Sequence, residues 1–346
     1  MCQTMTERIA GCLYGAAYGD SLGAPTENRT REQIFAKWGY VDKLLDPPMD
    51  VFARGNRAGQ VTDDFSMAYT AIQTILHADG RVNDTVSKEA LLAWGSDERM
   101  LTQFAGPTSQ RFIRQLQGIE PTGETRFEPV NVNRCASNGG AMKIGPVACF
   151  AKEHMEDALE LARIICFPTH GNAQAMSAAA AVAAAVSTAL GGASLTDILE
   201  AAVTGAAWGE QVGRTGATTA GPSVVKRLRF AISLGLDAET LSDAMDTLRA
   251  YFDCSGMAAD SVPVSFGLMA ASGGQLVPAV AAAANIGNDT DTIATIIGAV
   301  LGAHQGVAVL PEEVLQTIDE ANGYDLRGLA HQIYQTEVKL ESGDVK

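Results

Sequence analysis

The sequence predicts an all-α fold in one domain, and three observations carry that prediction. Apolar residues recur at helical spacing over most of the 346 residues, strand-like stretches are few and short, and helix-opening residues precede several of the apolar runs. With 47% hydrophobic and 19% charged residues, the chain can bury a sizeable core, which argues against disorder. No fixed-period repeat or long linker divides it. One domain over residues 1–346 is expected, with its core in about 6–340.

The first helix is expected over Thr6 to Asp20, where Gly11, Gly15 and Gly19 fall four apart on one face. Interior glycine costs about 1 kcal/mol per site, so such a row needs a packing or site reason; it lets a second helix approach closely. Further helices are read at 63–78, 97–117, 139–151, 155–166, 172–190, 195–209, 222–235, 238–251, 260–272, 275–286, 291–305, 311–321 and 325–340. Ser194 with Asp197 resembles a capping box, and Pro311 followed by Glu312 and Glu313 suits a first turn.

Ala173 to Leu190 is about long enough to span a bilayer, but it is mostly alanine and carries Gln174, Ser177, Ser187 and Thr188. A buried central helix is expected there, and also at Ile293 to Leu310, which holds His304 and Gln305. Val41 to Asp46 and Pro129 to Arg134 are the strand-like segments, short and isolated. Pro25 to Gln60 and Gly118 to Asn138 read as the least regular stretches, and irregular segments of that length commonly carry function.

Charge excludes one class of partner. The balance of 25 Lys and Arg against 40 Asp and Glu gives −15, which repels phosphate backbones, so no nucleic-acid partner is expected. No membrane partner is expected either. The six cysteines are scattered with no C-x-x-C pair, as reduced, packed thiols would be. The first residues lack a basic-then-apolar pattern, and a cytoplasmic protein is expected.

Two acidic clusters stand at predicted helix starts. Thr62-Asp63-Asp64 opens one helix, and Asp289-Thr290-Asp291-Thr292 opens another. A helix cap needs one such residue, and each cluster offers three oxygen donors beyond backbone needs. Brought together, four carboxylates would repel one another unless cations neutralised them. Carboxylate and hydroxyl donors without nearby His or Cys suit hard cations such as Mg²⁺, Mn²⁺ or Ca²⁺ rather than zinc. An EF-hand is excluded, because Ala294 and Val300 occupy the positions of its glycine and terminal glutamate.

Other clusters are weaker. Gly19-Asp20-Ser21-Leu22-Gly23 matches G-x-S-x-G by letter, but a nucleophile elbow needs a preceding strand, and a glycine-faced helix precedes this one. Glu27, in the loop beyond, is the better candidate carboxylate. Gly106-Pro107-Thr108-Ser109 and Asn138-Gly139-Gly140-Ala141-Met142-Lys143 are loop-to-helix transitions able to contact an anion or to serve as ordinary caps. His170 is read in a loop between two helices, beside Gly171. No Walker A or G-x-G-x-x-G sequence is present, which disfavours nucleotide-fold enzymes.

Taken in order, Gly15-x-x-x-Gly19-Asp20-x-x-Gly23-x-x-x-Glu27, Thr62-Asp63-Asp64 and Gly287-Asn288-Asp289-Thr290-Asp291-Thr292, followed by Gly298 and Gly302, resemble the ADP-ribosylglycohydrolase family over about residues 6 to 308. The resemblance implies an orthogonal all-α bundle holding two Mg²⁺ or Mn²⁺ ions. It implies Thr62, Asp63, Asp64, Asp289, Asp291 and Thr292 as metal ligands and Glu27 as the gating or acid/base carboxylate. Asp63, Asp64 and Asp291 then belong with Glu27 to the catalytic group. Gly106, Thr108, Ser109, Asn138, Gly139, Gly140, Met142 and His170 would line the ADP-ribose cleft.

The implied activity is hydrolysis of a ribosyl glycosidic bond, most simply release of ADP-ribose from a protein or small acceptor. Two alternatives stay open: a hydrolase of small nucleosides or N-ribosyl metabolites, and a non-catalytic ADP-ribose-binding or structural member. Lys143, where relatives commonly carry arginine, and Gly171-Asn172, where they often show a nearby proline, bear on substrate recognition.

Overall fold

The computed structural model describes residues 3–119 and 135–342. Those residues form seventeen α-helices and no strand. In chain order they are α1 (Met5–Gly23), α2 (Arg31–Trp38), α3 (Asp63–His77), α4 (Asp84–Trp94), α5 (Glu98–Gln103), α6 (Pro107–Leu116), α7 (Ala141–Val147), α8 (Met155–His170) and α9 (Ala173–Leu190). They continue as α10 (Leu195–Gly213), α11 (Val224–Asp237), α12 (Leu241–Tyr251), α13 (Ala258–Ala271), α14 (Leu276–Ile286), α15 (Thr290–Gln305), α16 (Glu312–Asn322) and α17 (Leu326–Ser342).

Close backbone approach organises the core. A methyl group added at Gly11, Gly15 or Gly19 of α1 would overlap the carbonyl oxygens of Gly302, Gly298 or Ala294 of α15, and one at Gly298 or Gly302 would overlap α1 in return. The row of glycines read from the sequence is therefore a seam along which two helices meet without side chains between them. A second seam pairs Gly205, Gly209 and Gly213 of α10 with the backbone of α9 at Ala180, Met176 and Asn172.

Helix α9 is the apolar run Ala173 to Leu190, and 89% of it is buried, as expected of a central helix. Its alanines allow α8 and α10 to pack closely on it. One apolar cluster runs from Ile9 to Ile333 and joins residues of most helices.

The structure corrects several sequence expectations. Helix α2 lies inside the stretch 25–60 expected to be irregular, and α4 lies where the sequence reading places no helix. Thr30 caps α2 with Gln33 in a capping box, but only Ile34 of that helix is buried, so its apolar period is faint. In α4, by contrast, Asn83 caps the first turn and Val86, Ala90, Leu91 and Trp94 form a buried face that was legible. The helix read at 97–117 is broken at Phe104–Gly106, since Pro107 lacks an N–H and starts a new helix at its first turn. Residues 41–46 carry no strand, and Pro129–Arg134 falls outside the described residues. Helix α8 extends through His170, which is its buried last residue rather than a loop position.

Candidate metal centre and active site

The α1–α15 seam fixes where the candidate ligands meet. At its end Gly23 lies against the backbone of Asp291, so the C-terminus of α1 delivers Glu27 to the N-terminus of α15. Two backbone hydrogen bonds fasten the flanking loops: Asn28 N–H donates to Asn288 O, and Asn288 N–H to Arg29 O, each at 2.8 Å. Both asparagines adopt left-handed backbone conformations that asparagine tolerates better than most residues. Gly287 (φ 98°) is required between them, because a side chain there would press on Arg29 O at 2.8 Å. The Asp289 N–H donates to Cys254 O at 2.9 Å.

Helix α3 joins through Asp20, a carboxylate buried in α1. It accepts the Thr62 N–H at both oxygens (3.0 Å each) and the Phe65 N–H at 3.0 Å. Asp20 thus takes up donors that α3 would otherwise leave orphaned at its N-terminus, and it holds Thr62-Asp63-Asp64 toward α15.

The two acidic clusters meet, with Glu27 between them. Carboxylate oxygens of Glu27, Asp289 and Asp291 lie within 4.8 Å of one another. Asp64 and Asp291 are buried, as are Thr62 and Thr292, and the Oδ2 of Asp64 has no hydrogen-bond partner. Burial and the mutual repulsion of Asp291, Asp63, Asp20 and Asp289 push the Asp64 carboxyl well above the usual range. Burial first, then neighbouring carboxylates, likewise raises Glu27 and Asp289 well above it, Asp63 to about 8 and Asp291 to about 7. Such a cluster is fully ionised at neutral pH only when a cation compensates it. An all-oxygen donor set with one buried, unpartnered carboxylate oxygen fits a hard divalent cation.

Other candidate residues fall into three groups. Asn138 reaches the acidic cluster, donating through Nδ2 to Asp289 Oδ2 at 2.5 Å and to Ser261 Oγ at 2.8 Å. His170 stands behind it, with Nε2 3.1 Å from Ser137 Oγ and Nδ1 2.7 Å from Thr169 Oγ1. Burial, with the Lys143 charge, pulls its imidazole down to about 3, so it is neutral. Gly139 leaves room for that ring, since a side chain there would come 2.9 Å from Nε2; Gly140 packs on Cys166.

Met142 has its side chain in an apolar cluster with Met67, Leu91, Trp94, Leu101 and Ile113. Gly106, Thr108 and Ser109 lie at the start of α6, whose Ile113 belongs to that same cluster. Neither Met142 nor this turn contributes to the acidic group. Ser21, the letter match to a nucleophile, is buried in α1 and donates to Ala17 O at 2.8 Å.

Sequence reasoning missed the structural part played by Asp20, Ser137, Ser261 and Cys254 O. A signal existed for Asp20 alone: a carboxylate inside an apolar, glycine-faced helix needs a partner.

The family model for ADP-ribosylglycohydrolase matches residues 1–342. The chain belongs to the ADP-ribosylglycohydrolase family. Its enzyme class follows: a hydrolase of ADP-ribosyl glycosidic bonds. Among relatives in this family, YegU of Escherichia coli K12 is 28% identical over 329 residues, covering 94% of this chain and 96% of its own. The Homo sapiens ADP-ribosylhydrolase ARH3 is 24% identical over 353 residues, covering 95% and 94%. A solved structure titled ADP-ribosylglycohydrolase-related protein complex superposes with a TM-score of 0.67 at 20% identity, covering 96% of this chain and 99% of that one. That likeness establishes the ADP-ribosylglycohydrolase fold.

Proposed function

We propose that this protein releases ADP-ribose from a modified protein or a small acceptor, using two divalent cations, Mg²⁺ or Mn²⁺. The observation that carries the reading is the convergence of Glu27 with Asp289 and Asp291, beside a Thr62-Asp63-Asp64 group held by Asp20. Thr62, Asp63, Asp64, Asp289, Asp291 and Thr292 would hold the ions. When bound, such ions would neutralise the carboxylates and grip the vicinal ribose hydroxyls.

The chain's own groups supply the rest. Glu27 Oε1 accepts from Asn28 Nδ2 at 3.0 Å, which orients the carboxyl and leaves Oε2 to exchange a proton with water or with the leaving group. Glycosidic cleavage passes through an oxocarbenium-like state, and a carboxylate at the anomeric carbon lowers that barrier by stabilising positive charge and assisting proton transfer. Asn138 holds Asp289 in place, and the neutral His170 pairs with the neighbouring Ser137 without adding a charge. Gly106, Thr108, Ser109, Gly139, Gly140 and Met142 would shape the rest of the ADP-ribose cleft.

The test is incubation of the purified protein with Mg²⁺ or Mn²⁺ and a panel of ADP-ribosylated peptides, ADP-ribose derivatives and nucleosides, with released products read by mass spectrometry. Free ADP-ribose from the peptides is expected. Turnover of nucleosides alone, or turnover untouched by a chelator, would overturn the reading.

A further inference from the structure

Behind the acidic group lies a second polar site that the proposed reaction does not use. A cavity of about 10 Å³, room for one atom-sized guest, is lined by α3, α4, α7 and α8. Its walls are Met67, Ile165 and other apolar side chains, with two polar exceptions, Lys143 of α7 and Ser87 of α4. Each is 2% exposed, and neither the Lys143 Nζ nor the Ser87 Oγ has a hydrogen-bond partner in the protein.

Protein groups do not relieve this pair. The indole N–H of Trp94, which also lines the cavity, already donates to Ser66 Oγ at 2.9 Å. Asp63 and Cys166 act on the Lys143 charge from nearby, but neither makes a hydrogen bond to its nitrogen. Buried ammonium and hydroxyl groups are found paired, and a cavity that two of them share is where an internal guest completes them.

We infer that this cavity binds one small hydrogen-bond acceptor, a water molecule or a chloride ion, bridging Lys143 Nζ and Ser87 Oγ. The guest ties α4 to α7, whose preceding turn carries Asn138. The two side chains make no hydrogen bond to each other. Only a species with lone pairs and atomic dimensions satisfies an ammonium donor and a hydroxyl in a space of this size.

Two measurements test the site. Crystals of the full-length protein, grown at a resolution that orders single waters and soaked in bromide, should show a peak within hydrogen-bond distance of both Nζ and Oγ. An anomalous signal identifies a halide, and its absence with a peak present identifies water. In a double-mutant cycle, Ser87→Ala should lower the melting temperature by about 2 °C in the wild type but by much less in a Lys143→Met background, because the shared guest is already lost. No bridging peak, a Lys143 nitrogen bonded directly to protein, or additive melting shifts would overturn the proposal. Should Lys143→Met fail to fold, the wild-type crystal decides alone, a bridging peak supporting the site and its absence refuting it.

Discussion

Glu27 and Asp20 stand seven residues apart on one segment and are expected to fail differently. Glu27 faces Asp289 and Asp291, so Glu27→Gln removes a proton carrier while keeping its volume. Turnover is expected to fall by about 10²–10³-fold with KM nearly unchanged, measured as steady-state release of ADP-ribose. Asp20 faces the backbone N–H groups of Thr62 and Phe65 instead. Asp20→Ala leaves both buried donors unpaired, and a loss of about 3 kcal/mol in unfolding free energy is expected. Divalent-cation affinity, read by calorimetry, should fall with it because Thr62-Asp63-Asp64 loses its anchor. At this scale the two acidic groups that converge were legible in the sequence, since acidic residues stood in excess of any capping need. The partners that hold them were not, because Ser137, Ser261 and the Cys254 carbonyl are ordinary residues until the fold brings them together.

Between helices, the controlling quantity is the distance between backbones. A methyl at Gly298 would overlap the carbonyl of Gly15, and no rotamer change relieves a clash between main chains. Gly298→Ala is expected to cost about 3 kcal/mol or more, seen as a lowered melting temperature or loss of soluble protein. Gly106→Ala, where a methyl meets nothing within 4 Å, should change stability by less than about 0.5 kcal/mol. The periodicity of Gly11, Gly15 and Gly19 announced one side of this seam. The partners were hidden because a glycine row names a close approach without naming what approaches. Helix α4 was readable from Asn83 and its Val86, Ala90, Leu91, Trp94 face, whereas α2 buries only Ile34 and owes its start to a capping box. The break before Pro107 depended on weighing proline as a starter rather than as a tolerated interior residue.

For the molecule as a whole, the acidic group couples folding to pH and to cations. In metal-free protein, Asp20 and Asp291 have carboxyls raised to about 7 and Asp63 to about 8, mainly by burial, against about 3.9 when unfolded. The folded chain therefore binds more protons than the unfolded chain between those values, and its stability falls as pH rises from about 4 to about 8. Melting temperatures of EDTA-treated protein are expected to drop across that window. Millimolar Mg²⁺ or Mn²⁺ should restore them most strongly near pH 8, where Asp20 and Asp291 have largely lost their protons and Asp63 is about half ionised. Thermal scans across pH with and without cation check both halves. Overall helical content was legible from composition and period. The meeting of Asp64 with Asp289, 225 positions apart, was available only through family resemblance, since no local pattern encodes a contact of that range.

The backbone pairing of Asn288 with Asn28 and Arg29 has an evolutionary corollary. Because it clasps the loop bearing Glu27 to the loop bearing Asp289, neither arm can drift without dragging the other. Variation that retunes which acceptor is released must then enter through segments outside the clasp, while inside it a change in one loop demands a compensating change in the other.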